Sequence, residues 1–355
     1  MTRDTSTRIS IGSLRNWLSA VLSDWDRTQM TLCYLLVFIL ALSPLFIKST
    51  YYLGIIILTV IYAFIGISWN IVAGFTGQLL IAHIIFLATG SYTTIVLYNT
   101  YGITPWVGLL ASGVVAGLLG VVVAFITLRY GLKMDYFALF TIALMVAMRT
   151  LFLKWDFVGG AVGMWFRLID ISFSNMIFKT KIPYLYIALG LLLIGLIVQY
   201  SLYRSKIGNY LLAIREDDDA ASALGVNTSF YKMMSVVIGA ALAGVGGGFY
   251  IMYVTFVEPP QVFNLALNVE IVMAGPIIGG LGSLAGPLLG ALLNKPFIEI
   301  VRGVLAGGRS GATLIVYGLF LISTVLFMPQ GITGVMYRLY LKVINRFNGK
   351  AEEVS

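Results

Sequence analysis

Apolar runs of span length dominate this chain from residue 30 to residue 328. The clear ones are 30–47, 52–72, 79–98, 104–128, 135–153, 182–203, 232–254 and 311–328. A helix needs about 20 residues to cross roughly 30 Å of hydrocarbon. No water is available there, so each backbone N–H and C=O must be satisfied internally, which restricts a spanning segment to helix or closed barrel. Runs this long are too uniform for the alternating pattern of a barrel strand, and they predict an all-α polytopic membrane protein. At 59% hydrophobic and 11% charged, the composition lies well outside the range of a soluble domain.

Region 257–310 decides the topology. With one span there, the tail carrying Arg338, Lys342, Arg346 and Lys350 would face outward, against the charge rule. Two short spans, 268–282 and 285–305, return the tail to the cytoplasm, on the same side as Arg129, Lys133, Arg204, Lys206, Arg215 and Lys232. About ten spans are therefore expected, with eight the alternative. Residues 1–29 form a cytoplasmic arm, 30–330 the transmembrane domain and 331–355 a cytoplasmic tail. In the arm, Leu14, Trp17, Leu18, Val21 and Leu22 recur at helical spacing, which suits the membrane interface.

Glycines interrupt both halves of the domain, at Gly77 beside Gln78 and at Gly279, Gly280 and Gly282. Short or broken helices in corresponding halves point to an inverted repeat around a pathway. The pairs Gly113/Gly117, Gly244/Gly248 and Gly286/Gly290 have the spacing that lets helices approach closely.

Several chemistries are excluded. With Cys33 and His83 as the single cysteine and histidine, there is no disulfide framework and no cysteine- or histidine-rich metal site. No G-x-x-x-x-G-K-[ST] loop, H-E-x-x-H or G-x-S-x-G occurs, so the chain carries no P-loop ATPase site and no evident catalytic site. The formal charge of +8 is spread beside the spans, which favours a lipid bilayer and not nucleic acid as the partner.

One long polar stretch interrupts the apolar pattern, from Arg204 to Lys232. Acidic residues suit the first turn of a helix, alanines propagate it, and glycine closes it at positive φ. Residues 216–225 therefore predict a short capped helix at the membrane surface, offered to a partner.

Asp219-Ala220-Ala221, three further residues and Gly225 resemble the Glu-Ala-Ala-x-x-x-Gly motif of ABC importer permeases. The wider string AIREDDDAASALGVN, together with AGFTGQLLIAH (73–83) and IIGGLGSLAGPLLGALL (277–293), is similar to the branched-chain amino acid permeases of the LivM type. The resemblance covers about residues 50–330. The chain departs from the family pattern at Leu80-Ile81-Ala82-His83 and at Gly159-Gly160-Ala161-Val162-Gly163.

The resemblance implies an inner-membrane importer subunit, both termini cytoplasmic, moving branched-chain or related hydrophobic amino acids. It implies a second homologous permease, two cytoplasmic ATPase subunits holding ATP and Mg, and an external substrate-binding protein. Arg215, Glu216, Asp217, Asp219, Ala220, Ala221 and Gly225 then form the ATPase-coupling element, with Ala221 pressed into the ATPase. Pathway or broken-helix candidates are Gly77, Gln78, His83, Glu270, Gly279, Gly280 and Gly282. Alternatives are a related importer for urea, amides or another small solute, and a stand-alone secondary transporter. The latter usually needs acidic groups in mid-span, and the spans read as nearly free of them.

Within the spans, His83 suits a neutral hydrogen-bonding residue better than a proton relay, because no carboxylate is near it in sequence. Gln78 is expected to satisfy backbone groups freed by the glycines, and Glu270 to lie in an external vestibule or cap a helix. Asn70 and Asn294 receive no role. Asp218 is expected on a solvated part of the acidic run.

Overall fold

The structure, a computed structural model, describes the backbone of residues 11–131, 134–167, 170–305 and 310–352. Helix α1 (Ile11–Phe46) runs without a break from the N-terminal arm into the first span. The side chains of residues 11–24, with the expected interfacial stripe, lie outside the described residues. Then follow α2 (Thr50–Trp69), α3 (Ile84–Tyr101), α4 (Pro105–Arg129), α5 (Met134–Lys154) and α6 (Ile182–Arg204). The polar stretch holds α7 (Lys206–Glu216) and α8 (Asp218–Ala223), and α9 (Thr228–Val254) returns through the membrane. Beyond it lie α10 (Pro259–Val262), α11 (Leu265–Asn268), α12 (Ala274–Gly279), α13 (Gly286–Val304), α14 (Ser310–Phe327) and α15 (Gly331–Glu352).

The fold is all-α and polytopic, and each of the ten expected apolar segments contains helix. Among the described residues, seven segments are long and apolar enough to cross a membrane by length and composition. The others are α3, the short 265–279 segment and α13, which carries Lys295, Glu299 and Arg302 among its apolar residues. Two elements differ from expectation. The 79–98 segment becomes helical only at Ile84, after an irregular stretch at 77–83. The 268–282 segment is α11, a π-helical turn and α12.

Helix α2 is the most buried span, and α9 follows it. α9 packs on α3 and α4, while α2 contacts α6 and α13. The small-residue spacing acts as expected at these crossings: Gly120 faces Ala240, and Gly244 faces Ala116 and Ser112. On the loop side, β1 (Met164–Trp165) pairs antiparallel with β2 (Phe256–Val257), joining the 155–181 connection to the segment after α9. Spans α1, α5 and α14 leave most of their apolar surface exposed, as a bilayer or a partner subunit requires.

Candidate functional site

Both halves of the domain pass through a π-helical turn and then lose regular structure. α2 continues into a π-helix at Asn70–Gly74, followed by the irregular 77–83 stretch. α11 continues into a π-helix at Val269–Met273, and the chain breaks at 280–285 between α12 and α13. π-turns concentrate at functional sites, and irregular backbone at membrane depth requires partners within the protein.

Those partners are side chains, and two of them are asparagines that reach across from the opposite half. Asn70 accepts from the N–H of Gly282 at 2.8 Å and donates to the carbonyl of Ser283 at 2.9 Å. Asn268 accepts from the N–H of Ile84 at 2.9 Å and donates to the carbonyl of Ile81 at 2.5 Å. Trp69 donates to the Leu80 carbonyl, Gln199 to that of Ser283 and Thr333 to that of Gly279. Gln29 accepts from the N–H groups of Leu284 and Ala285. Gln78, expected in this role, has a buried Oε1 with no partner among the described residues.

His83 is fully buried at the end of the first break. Its Nε2 lies 3.0 Å from Ser68 Oγ, whose own hydrogen goes to the Ile65 carbonyl. Nε2 is therefore the donor to Ser68, and Nδ1 is left without a partner among the described residues. The imidazole ties α2 to the start of α3 and packs edge-on against Phe86.

The polar stretch forms two helices. Ser205 caps α7. Asp217 caps α8 by accepting from the N–H of Ala220 at 2.9 Å, so the acidic run divides between the end of α7 (Glu216) and the start of α8. Gly225 closes α8 at φ +85°, with Val226 N–H donating to the Ala221 carbonyl and Gly225 N–H to that of Ser222. This is a Schellman cap. Asp219, Ala220, Ala223 and Leu224 are exposed, Leu224 at 86%. Ala221, expected on the docking face, is only 3% exposed and packs within the chain. Asp218, expected to be solvated, pairs with Lys232 at the start of α9.

Arg215 links this loop to both breaks. Its Nη1 donates to the Gly74 carbonyl at 2.6 Å, at the end of the first π-helix. Its aliphatic stem lies beside Gly77, and its guanidinium sits where a side chain on Gly282 would have to go. Gly282 itself is at φ +82°, so glycine suits the position twice over. The structure thus brings Arg215, Gly77 and Gly282 together, with Gly279 and Gly280 beside them in the second break. Glu270 is elsewhere.

Glu270 belongs to a cluster of charges that the sequence reading overlooked. It pairs with Arg302 at 2.8 Å and lies 3.7 Å from Lys295, while Glu299 holds Lys295 at 2.5 Å and Arg302 at 3.3 Å. Tyr62, halfway along α2 and its π-turn, approaches the Glu270 carboxylate at 3.5 Å. The cluster therefore lies against the middle of α2 and its π-turn, with Glu270 in the first turn of the second π-helix. Asn294 donates to the Glu270 carbonyl at 2.9 Å. The signal was present in the sequence, as Lys295, Glu299 and Arg302 recur at i, i+4 and i+7 on one helix face.

Residues 51–327 match the family model described as branched-chain amino acid transport system permease component. The chain is 28% identical over 345 residues to the high-affinity branched-chain amino acid transport system permease protein LivM of Escherichia coli K12, covering 91% of this chain and 79% of that protein. It is 26% identical over 266 residues to the probable branched-chain amino acid transport permease protein LivH of Methanocaldococcus jannaschii, covering 71% of this chain and 82% of that protein. No solved structure matches it. The match extends from the start of α2 to the end of α14 and takes in both breaks and the polar loop, and the chain belongs to the family of branched-chain amino acid transport system permease components.

Proposed function

We propose that this chain is the membrane permease subunit of an ATP-driven importer of branched-chain amino acids. Its partners are a second homologous permease, two cytoplasmic ATPase subunits that hold ATP and Mg, and an external substrate-binding protein. The protein is multi-pass; we place it in the inner membrane, with both termini and the 204–232 loop cytoplasmic.

One observation carries the reading: α8 presents an exposed face while the residue three positions before it, Arg215, is bonded to the first break. A partner that moves α8 moves α7 as well, because Asp217 ends one helix and caps the other. Arg215 then passes the displacement to Gly74 and to the neighbouring Gly282. Backbone held by a few side-chain hydrogen bonds rearranges more readily than continuous helix, and this supports the two breaks as the moving parts.

The buried Glu270 and Lys295, with Glu299 and Arg302 beside them, give a proton-driven transporter a specific observation in its favour, since intramembrane ionisable groups mark such pathways. The four form two compensating pairs, which suits a fixed polar site better than a relay. Leucine uptake into proteoliposomes separates the readings. The importer needs co-purifying ATPase subunits and ATP, whereas uptake without either that collapses with a protonophore would establish the proton-driven alternative.

A further inference from the structure

A cavity of about 490 Å³ lies between the 261–270 segment and α14, with Gln261, Asn264, Glu270, Arg302 and Tyr317 on its walls. An apolar trough of about 300 Å³ adjoins it, sharing Val269 and Leu321 and continuing past Ala274, Ile277 and Ile322. Of the four clustered charges, Arg302 is the most open, at 46% side-chain exposure against 9% for Glu270 and 2% for Lys295. One opposite-charge pair therefore stands at the wall of a cavity, with an aliphatic surface beside it.

We propose that Glu270 and Arg302 bind the α-ammonium and α-carboxylate of a free amino acid, whose aliphatic side chain enters the trough. This deepens the permease reading and rests on it. A zwitterion inserted between the two exchanges one ion pair for two, ammonium with Glu270 and carboxylate with Arg302, and leaves the local charge unchanged. A monocarboxylate or a simple amine pairs one of the two charges and leaves the other only its longer contact, Lys295 at 3.7 Å from Glu270 or Glu299 at 3.3 Å from Arg302, so it repays less of the broken pair. Lys295 and Glu299 act as positioning residues: Lys295 stays near Glu270, and Glu299 holds both cations at the spacing the pair requires.

The test uses the whole transporter, assembled with its ATPase subunits and binding protein in proteoliposomes. In Arg302→Gln and Glu270→Gln, leucine uptake should fall at least tenfold, while ATPase association and leucine-independent hydrolysis stay within twofold. Uptake by both variants at the wild-type KM and Vmax overturns the site. Because Glu270→Gln can disturb folding, a second measurement leaves the charges intact. Leu314 lines the same cavity and is 59% exposed. In a Cys33→Ser background, Leu314→Cys is labelled with a water-soluble maleimide. Saturating leucine should slow labelling at least threefold, and 4-methylpentanoate or isoamylamine should not. A complex that transports leucine without this protection overturns the site, as does equal protection by either fragment. Protection by glycerophosphate in place of leucine assigns the cavity to a lipid headgroup and also overturns it. A wild-type complex that takes up no leucine removes the permease reading itself, so the two failures are distinguishable.

Discussion

Asn70 and Asn268 make the same pair of hydrogen bonds in opposite directions, each bridging an N–H and a carbonyl in the broken segment of the other half. Each sits at a π-turn, Asn70 as its first residue and Asn268 immediately before it. The reciprocity is what two related halves facing each other produce, and it is independent of the glycines that first suggested a repeat.

The two clamps are unequal in one respect. If Asn70 is truncated, Ser283 keeps Gln199 as a donor, so Asn70→Ala leaves only the Gly282 N–H unpaired. Asn268→Ala strands both Ile84 N–H and the Ile81 carbonyl. An unsatisfied buried group costs about 1–3 kcal/mol. Asn268→Ala should therefore destabilise about twice as much as Asn70→Ala, read as the fall in Tm in detergent. Equal shifts, or a larger one for Asn70→Ala, would contradict the clamp geometry.

Arg215 is expected to govern coupling while contributing little to assembly. Arg215→Ala removes the charged donor to Gly74 but leaves the exposed face of α8 untouched. ATPase subunits should co-purify normally, nucleotide hydrolysis should persist, and leucine uptake should drop at least tenfold. Arg215→Lys, with a compact ammonium in place of the planar fork, should recover only part of it. Full uptake in Arg215→Ala rules out this link.

His83 separates a structural role from a pathway role. His83→Gln keeps an N–H donor for Ser68, and hydrogen bonds inside membranes average about 0.6 kcal/mol. Transport should survive with a small loss of stability. A normally abundant His83→Gln protein with no uptake assigns the imidazole to the pathway.

Lys295 should be the costliest of the four charges to remove. At 2% exposure it lies between Glu270 and Glu299, and deleting one partner of a buried pair costs about 3–5 kcal/mol. Lys295→Met should therefore lower the Tm more than Arg302→Met, whose side chain is half exposed. The opposite order would mean that Arg302, not Lys295, neutralises the cluster.

What the sequence revealed follows from how far each signal acts. The apolar segments, the acidic first turn of α8 and the close at Gly225 are local, and all were legible. The ends of the breaks were not: a helix from residue 79 was expected, yet the start at Ile84 depends on Asn268, 184 positions away. Gln78 was chosen to satisfy freed backbone because it is adjacent in sequence, while Asn70, Gln199, Gln29 and Asn268 do so from other elements. Lys295, Glu299 and Arg302 were visible at helical spacing, but their pairing with Glu270 needs α11, its π-turn and α13 side by side.

The face of α8 gives the sharpest test of the proposed coupling element. Leu224 is 86% exposed and Gly225 has open space around it, so neither position is needed for packing within this chain. Leu224→Glu should leave stability unchanged. Gly225→Val forces a β-branched residue to φ +85°, a strain of about 1–2 kcal/mol confined to the end of a six-residue helix. If an ATPase subunit docks on this face, both variants should insert normally yet lose ATPase pull-down and uptake together. Ala221→Glu is a poorer probe, because at 3% exposure it must first disrupt the packing of the loop itself. Asp218→Asn breaks the partly exposed pair with Lys232, a contact of about 0–1 kcal/mol, and should change association by less than twofold. Undiminished pull-down with both Leu224→Glu and Gly225→Val would show that the ATPase docks elsewhere, and Arg215 would then have no moving partner to report.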